Sequence, residues 1–193
     1  MGRLIYFMNI SIDGYLNDKN GNFDWAEPKE DVHRHINNIE AMNDVLIYGR
    51  KMYDALAAWQ NIKDIETYPD YIQAYEKIWK SKRKIVFSRS LKECKTSNTV
   101  IKSELAANEI EKLKIETPGN ISIGGADMAS QALDMNLVDE IILFVYPVIV
   151  GKGKKWIDNT NLKRNRLIET RITFLLEILA FCTLDIILLE ILL

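Results

Sequence analysis

The sequence predicts one α/β domain over residues 1–193, built on a mainly parallel sheet covered on both faces. Two observations carry that prediction. Short β-branched runs alternate along the chain with segments of helical spacing, and four of those runs end in residues suited to holding a ligand. At 193 residues, 48% of them hydrophobic, the chain is long enough for one well-buried core and short for two. A formal net charge of −2 gives no reason to expect nucleic acid or a membrane surface as a partner.

Leu4 to Ile12 reads as a buried first strand running into Ser11-Ile12-Asp13-Gly14-Tyr15. A carboxylate and a glycine at the end of a central strand lie where α/β sheets place their ligand crevice, although Asp-Gly is also a simple turn. Residues 17–30 are loop-like, with Phe23-Asp24-Trp25 embedded, where the aromatics either cover a ligand or pin the loop. Asp31 to Ala41 has helical spacing. Asp44 to Tyr48 is a second strand, stopped by Gly49-Arg50-Lys51, and its two cations suit a phosphate, Arg50 as a planar fork and Lys51 as a point charge.

Residues 54–80 read as mostly helical and aromatic-rich, split by Pro69, with the aromatics assigned to packing. Lys84 to Phe87 is a third strand, ending in Ser88-Arg89-Ser90, two hydroxyls around a guanidinium. Val100-Ile101 is a small strand, and Glu104 to Lys114 an amphipathic helix with Leu105, Ile110 and Leu113 inward. Ile121 to Ile123 stops at Gly124-Gly125, and a helix opens at Ala126-Asp127. Strand, glycine turn and helix together make a common anion site, because the first amides of a helix have no internal partner. Ile141 to Val150 then reads as a strand buried on both faces.

Other chemistry is sparse. Cys94 and Cys182 form no C-x-x-C, which argues against a disulfide scaffold or a thiolate zinc site. His33 and His35, the only histidines, are expected at the surface, and the clusters Lys80 to Lys84 and Lys152 to Lys155 on solvated helix ends and loops. Gly2-Arg3 leads directly into a strand with no signal peptide, so a cytoplasmic setting is expected. In a parallel sheet, the strand ends at Asp13, Gly49-Arg50, Ser88-Arg89 and Gly124-Gly125 share one edge. Their convergence predicts a phosphate-bearing ligand.

The ordered set Ser11-Ile12-Asp13-Gly14-Tyr15, Gly49-Arg50-x-Met52-Tyr53, Phe87-Ser88-Arg89-Ser90, Ile123-Gly124-Gly125-Ala126 and Pro147-Val148-Ile149-Val150-Gly151-Lys152-Gly153 resembles one family. It is similar to the reductase domain of the bifunctional riboflavin-biosynthesis deaminase-reductases, of the dihydrofolate-reductase-like superfamily, over about residues 3–157 and in stand-alone form. The resemblance implies a three-layer α/β/α domain with NADPH across the carboxyl ends of the strands. It implies Arg50, Ser88 and Arg89 around the adenosine 2′-phosphate, with Gly49 and Lys51 beside them, and Gly124, Gly125, Ala126 and Asp127 around the pyrophosphate. The nicotinamide and substrate fall near Asp13, Asp24 and Trp25, with Asp13 orienting substrate or a proton-donating water. Both histidines fall elsewhere in that pattern. The implied chemistry is hydride transfer to a C=O or C=N bond of a small heterocyclic or carbonyl substrate, as in 5-amino-6-(5-phosphoribosylamino)uracil reductase.

Three departures stand out. The family often has Thr where this chain has Met52. Neither His-x-Glu nor Pro-Cys-x-x-Cys occurs, so zinc-dependent deamination is not expected. After a strand-like Leu167 to Phe174, the end of the chain, about 175–193, is apolar and lacks the usual turn residues. Ile172 to Leu193 is long enough to span a bilayer, yet holds Glu177, Asp185 and Glu190, each costing about 2.5–3.5 kcal/mol near a helix centre. A buried strand or helix, a dimer interface or an altered end remain open, ahead of an anchor. The expected partners are a small-molecule substrate and a second copy in a homodimer. Dihydrofolate reduction, NADP binding without turnover and a purely structural dimer are the competing readings.

Overall fold

The computed structural model describes residues 1–157. Six parallel strands form its central sheet: β1 (Leu4–Ser11), β3 (Asn43–Gly49), β4 (Arg83–Phe87), β5 (Thr99–Lys102), β6 (Asn120–Gly124) and β7 (Glu140–Tyr146), in the spatial order β5-β4-β3-β6-β1-β7. The expected parallel sheet is thus the framework. The innermost strands are runs of Ile, Leu, Val and Tyr because both faces are covered, and Leu4, Tyr6, Ile47, Val86, Ile121 and Ile123 have no exposed surface.

Alternation along each strand separates two cores. On one face Leu4, Tyr6, Val45, Ile47, Ile85, Ile121 and Ile123 pack with Leu105, with Ile110 and Leu113 of α4 (Ala107–Glu116), and with Ala129 and Ala132 of α5 (Ala126–Asp134). On the other, Leu46, Tyr48 and Val86 meet Tyr53 of α2 (Arg50–Leu56) and Trp79 of α3 (Asp70–Ser81). Helix α1 (Glu30–Ala41) lies beside α3, joined by the Arg34–Asp70 ion pair. Two helix layers around one sheet give the three-layer α/β/α architecture.

The stretch 54–80 is mostly helical and split at Pro69, as expected: the end of α2, short 3-10 turns at Ala57–Gln60 and Ile65–Thr67, and then α3, which Pro69 precedes as its cap. Several other expectations are corrected. Strand β7 ends at Tyr146, where Pro147 cannot donate to a ladder, and forms an edge of the sheet among the described residues, with Val145 half exposed. His33 is buried, not at the surface: its ring lies against Tyr71 and Tyr75 and its Nδ1 is 3.1 Å from Asn37 Oδ1. Lys84 is fully buried in β4, its Nζ donating to the Lys82 carbonyl and lying 4.2 Å from the Trp79 ring centre; burial lowers its ammonium to about 8.

A second, two-stranded sheet pairs β2 (Tyr15–Asp18) antiparallel to β8 (Gly153–Lys155), within stretches expected to be loops. No helix among the described residues is long and apolar enough to cross a membrane. The strand-like 167–174, Cys182 and the apolar end 175–193 lie outside the described residues.

Candidate functional site

Because all six strands are parallel, their carboxyl ends share one edge, and the sheet order fixes what stands beside what. From β4 through β3 and β6 to β1 and β7, that edge carries Ser88-Arg89, Gly49-Arg50, Gly124-Gly125, Ser11 to Asp13, and Tyr146. Adjacent strands lie about 4.8 Å apart, so β4 to β1 spans about 14 Å. An elongated ligand laid along the edge meets these groups in turn.

The β4 and β3 end is cationic. Arg50, first residue of α2, donates through Nη1 to Ser90 Oγ at 2.7 Å and through Nε to Asp54 Oδ2 at 3.4 Å. Asp54 is shared with Lys95, whose hydrogen bond is the main cause of its lowered carboxyl pKa. Ser88 Oγ accepts from the Ser90 and Leu91 amides, which holds the turn with Arg89 exposed. Arg50, Ser88 and Arg89 are therefore brought together, with Lys51 exposed on the next residue of α2. Ser90, the second hydroxyl of the expected triplet, joins them, and Lys95 is the addition.

The middle of the edge is the glycine turn. Gly125 precedes α5 with φ of +91°, a conformation that L side chains avoid. Ala126 and Asp127 open the helix, leaving its first amides for an anion. Asp127 is exposed and its Oδ1 accepts from Lys154 Nζ at 2.7 Å, tying β8 to this helix end. A Cβ built on Gly124 would lie 2.6 Å from the Sδ and Cε of Met52. The absence of a side chain at Gly124 is thus used to admit Met52.

At β1 the structure reassigns Asp13. Ser11 donates its hydroxyl to Asp13 Oδ1 at 2.6 Å, and the amides of Val150 and Gly151 donate to Oδ1 and Oδ2 at 3.1 and 2.8 Å. These bonds, Ser11 first, hold the Asp13 carboxyl below its ordinary range. Both oxygens are committed and the group is ionised near neutrality. Asp13 is a clamp fastening the 148–151 loop to the end of β1, and a poor proton donor. Gly14 continues the clamp: its φ is +82° and a Cβ there would meet the Trp156 ring at 3.3 Å. Asp13→Asn is expected to lower Tm at pH 7. A folded-state pKa below the unfolded value gives stability that is full above about pH 4 and lost as pH falls further. The variant therefore loses less of its own stability than the natural protein between pH 5 and 3, as thermal melts at each pH would show.

The β7 end joins Trp25, expected near the substrate, to Asn9 and Tyr146, which were not. Alternation puts Phe7, Asn9 and Ser11 of β1 on the same face as Ile142, Phe144 and Tyr146 of β7, in register Asn9 to Phe144 and Ser11 to Tyr146. The 3-10 turn Asp24–Ala26 sets Trp25 edge-on to Tyr146, ring centres 6.0 Å apart. His35 of α1 meets Phe144 at 5.9 Å, so it borders this face instead of lying elsewhere, and Asp31 precedes it by one helical turn. Asn9 Oδ1, Trp25 Nε1, Asp31 Oδ1 and the Tyr146 hydroxyl are all buried without a hydrogen-bond partner. Unsatisfied buried polar atoms are rare and costly, and four at one end of a sheet mark a place for a ligand or water. Burial pushes the Tyr146 phenol up to about 12, so it is a neutral donor. Asp24 by contrast is exposed and its Oδ1 accepts from the Trp25 amide, a turn-holding role. The available signals were Asn9 inside an apolar run and Asp31 opening a helix.

Comparison with known proteins decides the family. The family model for the RibD C-terminal domain matches residues 3–177. The chain belongs to the RibD C-terminal domain family. A Bacillus subtilis (strain 168) relative, uncharacterized protein YyaP, is 30% identical over 173 residues, covering 88% of each chain. Among solved structures, a Shewanella sp. PV-4 protein named for riboflavin biosynthesis superposes with a TM-score of 0.67 at 20% identity, covering 89% of this chain and 92% of that one. The Thermotoga maritima diaminohydroxyphosphoribosylaminopyrimidine deaminase/5-amino-6-(5-phosphoribosylamino)uracil reductase superposes at 0.56 with 14% identity, covering 84% of this chain and 49% of that one. These likenesses show the reductase-like α/β fold of the RibD C-terminal domain. The edge just described is the carboxyl edge of that fold.

Proposed function

We propose that the protein is an NADPH-dependent reductase of a small polar heterocycle. One observation carries this reading. Along a single sheet edge, groups suited to phosphate at β4, β3 and β6 are followed by unpartnered donors and acceptors at β1 and β7. A dinucleotide and its acceptor need that order: charge at one end, a dry polar pocket at the other.

The residues fit the cofactor. Arg50 with Ser88, Ser90 and Arg89 would take the 2′-phosphate, and the Gly125 turn with the Ala126 and Asp127 amides the pyrophosphate. NADPH when bound supplies the hydride; the chain's own groups orient and polarise. Trp25 Nε1 and the neutral Tyr146 hydroxyl are donors for a C=O or C=N acceptor atom, while Asn9 Oδ1 and Asp31 Oδ1 accept from N–H groups. The Asn9 amide reverses these roles if its oxygen and nitrogen exchange places. A heterocycle edged with alternating donors and acceptors satisfies all four.

Arg50→Ala tests the phosphate end. Loss of one charge-assisted contact costs about 1.5–3 kcal/mol, roughly 10- to 150-fold. NADPH affinity is expected to fall by that amount and NADH affinity by less than about threefold, since only NADPH carries the extra phosphate. Equal losses would move Arg50 out of the 2′-phosphate site.

Asp31 favours a second reading, dihydrofolate or pterin reduction, because a buried unpartnered carboxyl oxygen beside a helix start suits an aminopyrimidine edge. A panel of phosphoribosylaminopyrimidines, pterins and simple carbonyls, followed by NADPH absorbance, separates the two. A homodimer belongs to the proposal; a single-chain mass by sedimentation would remove it.

A further inference from the structure

Two methionines from two elements touch the glycine turn, and a third lies on the helix that follows it. Met8 of β1 accepts the Gly125 amide on Sδ at 3.5 Å. Met52 of α2 fills the space beside Gly124, and its Sδ would lie 3.7 Å from a Cβ on Gly125. Met128 of α5 reaches the Gly49 backbone, its Cγ 3.3 Å from where a Cβ would sit. All three are half-buried, so each is reachable from solvent. The side chains touching the turn that precedes α5 are thus thioethers, soft groups that offer a phosphate no donor and no repulsion.

We propose that Met52 is an oxidation site that closes this cradle. In the step, the Met52 sulfur attacks one oxygen of a hydroperoxide. An S–O bond forms and the O–O bond breaks; the sulfur gives up two electrons, and the other oxygen leaves as water, or as an alcohol from an alkyl peroxide. The product carries a strongly polar S=O with negative charge on oxygen. Set beside Gly124 and Gly125 at the start of α5, that negatively charged oxygen occupies the mouth of the turn and repels an anion there. Reduction of the sulfoxide by methionine sulfoxide reductase restores the site. The proposal rests on the cofactor reading above and adds to it a sensitivity to peroxide.

The test uses the full-length protein, dilute hydrogen peroxide, and peptide mass spectrometry of every methionine, with NADPH titrated before and after. Met42, 58% exposed at the end of α1, is the internal standard. NADP⁺ in the reaction is expected to slow Met52 oxidation several-fold and leave Met42 unchanged. Oxidised natural protein is expected to bind NADPH about tenfold more weakly or worse, consistent with loss of a charge-assisted hydrogen bond, and to recover with the sulfoxide reductase. Met52→Leu, whatever its starting affinity, is expected to show no further loss on peroxide treatment. Undiminished affinity after Met52 oxidation, or an equal loss in Met52→Leu, overturns the proposal. Reduced protein without NADPH affinity overturns the cofactor reading itself, and this proposal with it.

Discussion

Asp31→Asn is expected to lower kcat/KM for the proposed reduction by about 100-fold or more, while NADPH affinity stays within about twofold. The expectation follows from position. Asp31 lies in the first turn of α1, one turn ahead of His35, which meets Phe144 on the face that carries Asn9 and Tyr146. Its Oδ1 is buried with no partner in the protein, so a substrate donor is the group that completes it. Asparagine keeps the size and replaces the acceptor pair by one acceptor and one donor, which leaves a substrate N–H facing an N–H. The proposed 2′-phosphate contacts, at β3 and β4, lie beyond β6 and are untouched, so cofactor titration is the control. Asp24→Asn, at an exposed turn, is expected to leave turnover within about twofold. Full activity in Asp31→Asn would remove Asp31 from the substrate pocket.

Gly125→Val is expected to weaken NADPH and NADH alike, by roughly 100-fold. With φ at +91° and ψ at 133°, Gly125 occupies backbone space that a β-branched residue enters only with strain of about 1–3 kcal/mol. The chain relieves that strain by turning the peptide, which re-aims the amides at the start of α5. Space alone is not the obstacle, because the nearest atom to a Cβ there is Met52 Sδ at 3.7 Å. Gly21 separates folding from binding. Its φ is +89° and nothing lies within 4 Å of a Cβ, so Gly21→Val carries a similar positive-φ strain in the turn after β2, outside the glycine turn itself. Both variants are expected to melt earlier, and only Gly125→Val to lose cofactor. Unchanged binding in Gly125→Val would remove the turn from the pyrophosphate site.

Much of the fold was legible because its central strands are buried on both faces. Val45 to Tyr48, Ile85 to Phe87 and Ile121 to Ile123 read as β-branched and aromatic runs, and glycines or hydroxyls mark where they end. Parallel strands share an edge, so the meeting of Arg50 with the Ser88 to Ser90 turn followed from topology alone. Pairing of β2 with β8 was not legible. The two strands are four and three residues long, polar, and more than 130 residues apart, and no local pattern records so distant a partner. His33 and Lys84 look like surface residues in sequence; both are buried because an aromatic neighbour, Tyr71 and Tyr75 for one and Trp79 for the other, accepts them.

The candidate site divides in the same way. Its proposed phosphate half is backbone and charge, which glycine and arginine announce. The proposed substrate half is parity and burial: Asn9 and Tyr146 enter because alternation puts both on the face of Phe144, which meets α1, and Trp25 because a 3-10 turn presents its edge to Tyr146. Asp13, expected to orient substrate or a water, has both oxygens taken by three donors of the protein itself.

Titration of the purified protein with NADPH and with NADH, followed by tryptophan fluorescence, tests the central claim most directly. Trp25 beside Tyr146 and Trp156 against Gly14 lie at the β1 and β7 end of the edge, where the nicotinamide is proposed, and report on it. Saturable binding of NADPH at least about tenfold tighter than NADH is the expected result, from the contacts of Arg50, Ser88 and Arg89 with one extra phosphate. A folded sample that binds neither nucleotide would contradict it.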